Sequence, residues 1–175
     1  MKLIPLLPLL LAPVFFLAAC SDDTPPLILG PQKAYIVPQL QEEFQFLPGR
    51  TDAGAEITDA RITGVGGKVV LNPDTQKLVL TFQAGFAATN GPANHGGPVT
   101  LTYFVTVSEG EDIISKDEYN ITLHFDGHNN VAVGTSPPIT LKFPNERDDP
   151  PAEVLVGLQM TDEQAAYTAT HVAMP

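Results

Sequence analysis

The chain has little positive charge, a single cysteine and no long uninterrupted apolar run. Nine Lys and Arg stand against 20 Asp and Glu, a formal net charge of −11 at pH 7. Phosphates and anionic headgroups are repelled by such a surface, which argues against nucleic acid and against an electrostatic membrane contact. The longest apolar run, Leu3 to Leu17, is 15 residues broken by Pro5, Pro8 and Pro13. A spanning helix needs about 20 apolar residues, and an interior proline costs ~3 kcal/mol, so a transmembrane helix is the weaker reading. Catalytic motifs are missing as well. None of the four serines (Ser21, Ser108, Ser115, Ser136) sits in G-x-S-x-G, and there is no H-E-x-x-H and no phosphate-cradling glycine loop. No enzyme activity and no cofactor are expected.

What is present at the start is an address. Met1-Lys2 is a minimal positive n-region, and the leucine-rich run behind it suits a secretory signal. It ends in Leu17-Ala18-Ala19-Cys20, two small residues before the only cysteine. This resembles the lipobox of bacterial lipoproteins, in which the leader is cut just before a cysteine that becomes lipid-modified. The resemblance implies lipidation at Cys20 and a membrane held through that lipid. One acyl chain binds marginally and two or more bind firmly; the diacylglyceryl group and N-acyl chain of that class imply firm anchoring. Ser21 follows the cysteine, where an aspartate favours inner-membrane retention in many lipoproteins of this class. The outer membrane's periplasmic leaflet is therefore the expected location.

Three segments follow: a signal peptide over 1–19, a lipidated tether over 20–33 and a folded domain over 34–175. Without the leader the formal charge is −12. Ser21 to Lys33 is polar and proline-rich apart from Leu27-Ile28-Leu29, as a semi-extended spacer would be. The 17 prolines and 14 glycines mostly lie between short apolar runs, which is punctuation for strands. Ala34 to Val37 reads as a first strand ended by Pro38. Residues 39–47 are ambiguous, because Leu40, Phe44 and Leu47 have helical spacing while Phe44 and Phe46 suit a strand.

Alternation is clear beyond that. Ile57–Val65 and Lys68–Asn72 flank Gly66-Gly67, a hairpin or bulge signal. Leu78, Leu80, Phe82, Ala84 and Phe86 share a face, as do Leu101, Tyr103, Val105 and Val107. So do Tyr119, Ile121, Leu123 and Phe125; Ile139, Leu141 and Phe143; and Val154, Val156, Leu158 and Met160. Period-two alternation in many short runs predicts a mainly β domain, a single antiparallel sandwich of immunoglobulin-like type. Thr161 ahead of Asp162, Glu163 and Gln164 is a capping-box pattern, which predicts a short C-terminal helix from Asp162 to about Thr170. About nine residues cannot hold a helix alone, so Ala166 or Tyr167 must pack on the sandwich. The stretches "VLVGLQMTDEQAAYT" and "LTYFVTV" are loosely similar to uncharacterised proteobacterial envelope lipoproteins; that resemblance implies class and address, with no activity attached.

Candidate sites are few. His124, Asp126 and His128 form H-x-D-x-H, which on an extended strand could hold a divalent metal. Asp126-Gly127 is a turn pair that interrupts the strand, so no metal is expected there. His95 in the loop Asn90–Pro98 reads as a solvated turn residue, and His171 lies near the frayed end. Carboxylates at Glu109/Glu111/Asp112, Asp117/Glu118 and Glu146/Asp148/Asp149 lack EF-hand spacing. The functional expectation is a membrane-anchored envelope lipoprotein with a structural or protein-interaction role, its partner another envelope protein. The alternative is a small-ligand or metal-binding periplasmic lipoprotein using the sandwich-end loops Asn90–Gly97 and Asp126–Asn130.

Overall fold

The computed structural model describes residues 34–144 and 152–172. The signal peptide, Cys20, the tether and the carboxylates Glu146, Asp148 and Asp149 lie outside the described residues. Alternating apolar residues produce nine strands here: β1 (Ala34–Ile36), β2 (Glu42–Phe46), β3 (Glu56–Asn72), β4 (Lys77–Asn90), β5 (Val99–Glu109), β6 (Asp112–Leu123), β7 (Val131–Thr135), β8 (Ile139–Pro144) and β9 (Glu153–Leu158). One helix, α1 (Asp162–His171), follows.

The strands form two sheets, one in the order β1-β9-β5-β6 and the other β2-β3-β4-β7, with β8 also on β4. Their inner faces meet in one apolar core. Leu78, Leu80, Phe82, Ala84 and Phe86 of β4 are buried against Leu101, Tyr103, Val105 and Val107 of β5. Val154, Val156 and Leu158 of β9 are fully buried beside them. Phe86 and Tyr103 touch across the gap at 4.9 Å between centroids, and Tyr119 of β6 stacks on Tyr103 at 5.4 Å. The chain is thus mainly β, a two-layer sandwich with a short C-terminal helix. β1 runs parallel to β9, whereas the pairings of the other strands are antiparallel. Strand order also departs from constant immunoglobulin domains, whose sheets run ABED and CFG, because β2, β3 and β4 follow one another as a meander.

Gly66-Gly67 does not divide two strands. β3 runs through it, and the register slips earlier, between Ile62 and Gly64. Gly67 pairs directly with Phe82, and a Cβ placed on it would come within 2.5 Å of the Phe82 Cβ. Close approach of two backbones, and no turn, explains that glycine.

The far edge of β4 is shared by two short strands: β8 pairs with Lys77–Phe82 and β7 with Gly85–Thr89. Ser136 fills the step between them. Its backbone N–H donates to Ala84 O (2.8 Å), and its Oγ accepts from Ala84 N (3.0 Å) and donates to Pro137 O (3.0 Å). Gln83 Nε2 donates to Ser136 O at 2.8 Å, so the side chain and backbone of one buried serine complete the ladder. Ser136→Ala leaves the fully buried Ala84 N–H without an acceptor, which costs about 1–3 kcal/mol. Urea denaturation of the two proteins measures it, and a difference below about 0.5 kcal/mol would contradict this role for the hydroxyl.

Candidate functional site

The turn after β6 uses its polar groups on itself. Asp126 Oδ1 accepts from the backbone N–H groups of His128 and Asn129, both at 2.8 Å, and Oδ2 accepts from Asn129 Nδ2. These bonds hold the Asp126 carboxyl below its usual range, the Asn129 and His128 amides leading. β6 ends at Leu123, so His124, Asp126 and His128 do not share a strand face. No group of three His, Cys, Asp or Glu suited to a metal occurs among the described residues. In the other loop, Asn90 Oδ1 accepts from Asn94 Nδ2 and Gly96 N, and His95 is exposed in a left-handed conformation (φ 53°). The two loops meet at their bases, where Asn90 N donates to Asn130 O at 2.8 Å.

A second feature is the β6 edge. β6 pairs with β5 on one side and ends the sheet on the other, with no further strand among the described residues. Its Ile121–Leu123 end tucks against β7, where Gly134 leaves room for the Leu123 side chain. From Asp112 to Glu118 every side chain is exposed. Ile113 and Ile114 are 69% and 58% exposed, within a stretch carrying Glu109, Glu111, Asp112, Asp117 and Glu118. Single exposed apolar residues are ordinary; two adjacent ones on an open edge form a recognisable docking feature. Lys116 is the cation of this stretch, and its Nζ lies 4.7 Å from the Phe104 ring centre and 2.6 Å from Gln159 Oε1.

The third feature lies at the opposite side, where α1 covers β2. Both halves of the capping box form: Gln164 N donates to Thr161 Oγ1 (3.2 Å) and Thr161 N to Gln164 Oε1 (2.8 Å). The helix is held on the sheet by Tyr167, whose ring meets Phe44 at 5.3 Å and Phe46 at 4.8 Å, both edge-on. Such aromatic contacts add ~0.5–1.5 kcal/mol each beyond burial. His171 stacks on the Tyr167 ring at 3.8 Å between centroids. Beside Tyr167 a cleft of about 290 Å³ opens towards Arg50 and Glu163.

β2 therefore holds Phe44 and Phe46 half-buried on its outer side, and its inner side carries Glu43 and Gln45. Glu43 is paired with Ala60 and fully buried in the sandwich. Gln45 Nε2 donates to Glu43 Oε1 at 2.6 Å and to Thr100 O at 3.2 Å, which ties the two sheets together. Desolvation pushes the Glu43 carboxyl up from 4.5 to about 7, and the Gln45 hydrogen bond offsets only part of this. On the outer face Glu42 and Asp59 lie together, and burial raises both; the Asp59 charge adds to the rise of Glu42, while Arg61 opposes it.

No protein-family model, curated protein or solved structure matches the chain. Glu43, Asp59 and Thr168 carried no sequence signal, because each becomes notable only through what covers it. Tyr167 did carry one, since a nine-residue helix needs an anchor.

A group whose carboxyl rises on folding holds its proton longer in the native state. Stability is then full below the unfolded value and falls as pH climbs towards the folded one. For Glu43 that window is pH 4.5 to about 7, and the loss is up to about 3 kcal/mol. Glu42, Glu56 and Asp59 push in the same direction. Glu43→Gln is expected to stabilise the fold at pH 8, to change it little at pH 4.5, and to flatten the slope between. Thermal melts across that range check it; parallel pH profiles for the two proteins would show that Glu43 is not the source.

Proposed function

We propose that this chain is a lipoprotein anchored through Cys20 in the periplasmic leaflet of the outer membrane. Its sandwich works without catalysis, by contact with another envelope protein. The observation that carries the contact reading is the β6 edge, an open strand with Ile113 and Ile114 exposed. Acidic neighbours on the same edge favour a partner strand or loop bearing Lys or Arg, and they discourage pairing of two copies. The anchor reading rests on Leu17-Ala18-Ala19-Cys20 and the leader before it. Anchoring raises the effective concentration of the sandwich near other proteins on the same bilayer, so a small edge contact suffices.

A second reading is favoured by the Asn90–Asn130 hydrogen bond, which brings the two sandwich-end loops together. There a small ligand or metal would be held by the amide-rich loops Asn90–Gly97 and Asp126–Asn130.

One experiment in cells separates these. With a photoreactive residue at Ile114, the native chain is expected in the outer-membrane fraction with a discrete crosslinked adduct. Cys20→Ala, which keeps its apolar leader, leaves the outer-membrane fraction and reduces the adduct. Ile113→Asp leaves anchoring intact and abolishes the adduct at an unchanged melting temperature. Recovery of Cys20→Ala in the outer-membrane fraction would remove the anchor, and an adduct indifferent to Ile113→Asp would remove the edge.

A further inference from the structure

β2 and α1 stand at one flank of the sandwich, and each carries a buried polar group that the fold serves poorly. β2 is an edge strand paired on one side only, with β3, and its register slips between Gln45 and Phe46. α1 packs on β2 through Tyr167 and rests on no other strand to a similar extent. Under β2, Glu43 is buried and has Gln45 Nε2 as its one side-chain donor. That amide has two hydrogens, and its other bond goes to Thr100 O of the facing sheet. An ionised carboxylate here exchanges water for a single neutral hydrogen bond, a costly arrangement. Thr168 of α1 is buried as well, and its Oγ1 has no hydrogen-bond partner. Water would serve that hydroxyl better than the closed fold does.

We propose that β2 and α1 act as a proton-operated strap, closed on the sandwich when Glu43 is protonated and released together when Glu43 ionises. The contacts of Tyr167 with Phe44 and Phe46 make the two elements move as a unit. One movement then hydrates both the Glu43 carboxylate and the Thr168 hydroxyl. Burial holds the Glu43 carboxyl up, from 4.5 to about 7. Closure is therefore fully favoured below pH 4.5 and weakens as pH climbs towards about 7. On the inner side no charged group bears on Glu43, whose neighbours along β3 are Thr58, Ala60 and Ile62. On the outer side the sheet carries Glu42, Glu56, Asp59 and Arg61, and the Arg50–Asp52 pair lies near the cleft. α1 adds Asp162, Glu163 and His171. Histidine is the type among these that ordinarily titrates near neutrality, so His171 is the rival source of a pH response. The release is sub-global, with β4, β5 and β9 still packed, and so differs from a uniform loss of stability. It requires neither the anchor nor the β6 contact.

The test is amide hydrogen exchange of the full chain at pH 5.5 and pH 8.5, expressed as protection factors, which remove the intrinsic pH dependence of exchange. β2 and α1 are expected to exchange together, with less protection than β4 and little sensitivity to dilute urea. Their protection falls at least tenfold between the two pH values. The stretch Asp112–Lys116, whose opening leaves Glu43 covered, changes less than threefold. Glu43→Gln reduces the fall in β2 and α1 to below threefold, and His171→Gln leaves it in place. Thr168→Val, which replaces the unpaired hydroxyl by a methyl, raises protection in β2 as well as in α1 at both pH values. Four results would each overturn the strap. They are a native chain whose β2 and α1 ignore pH, a response that survives Glu43→Gln, β2 protection untouched by Thr168→Val, and β2 and α1 as urea-sensitive as β4.

Discussion

Contact between the inner faces of the two sheets is what the other features depend on. Phe86 from one layer and Tyr103 from the other meet at 4.9 Å, and the fully buried residues of β3, β4, β5 and β9 gather around them. Burying apolar side chains at ~25 cal/mol per Å² is the main favourable term in folding. It can be collected here only if each strand keeps its register, since a slip of one residue turns the apolar set to water. Ser136, Gly67 and the Gln45 bridge are local solutions to that single demand. Each lets a backbone or a polar group sit where the two apolar faces require it.

Most of that core was legible from alternation. The runs from Leu78 to Phe86, Leu101 to Val107, Ile139 to Phe143 and Val154 to Leu158 occupy the inner faces as their spacing requires. The capping box at Thr161 and Gln164 forms in both halves. Where the reading fell short, the cause was distance along the chain. β7 is five residues with alternate side chains outside, Val133 at 76% exposure, and so has little apolar signal. Gly66-Gly67 has the composition of a turn, yet the space that explains Gly67 belongs to Phe82, fifteen residues on.

Residues 39–47 show the same lesson more sharply. Their spacing suits helix and strand at once, and the structure answers with both kinds of local order: a 3-10 turn and then β2. Phe44 and Phe46 point away from the sandwich, and the charged Glu43 points in. No rule that sends apolar residues inward could anticipate this, because the cover for the outer face is Tyr167, more than a hundred residues away. The unusual state of Glu43 follows from the same inversion. A carboxyl forced inward by its aromatic neighbours is desolvated, and its proton affinity rises.

The divided edge of β4 has one more consequence. A long exposed ribbon of unpaired amides and carbonyls is a template on which other chains can polymerise. Here that side of the sheet is broken into β7 and β8, five and six residues long, separated by Ser136-Pro137-Pro138. The two prolines have no N–H to offer, and the step at Ser136 interrupts the line. A stranger's strand arriving on this flank meets a discontinuity after a few residues. Amyloid-like growth is thus discouraged on this flank of the sandwich, and on the other sheet β6 meets the same constraint through the bulge at Ile114 and its acidic side chains.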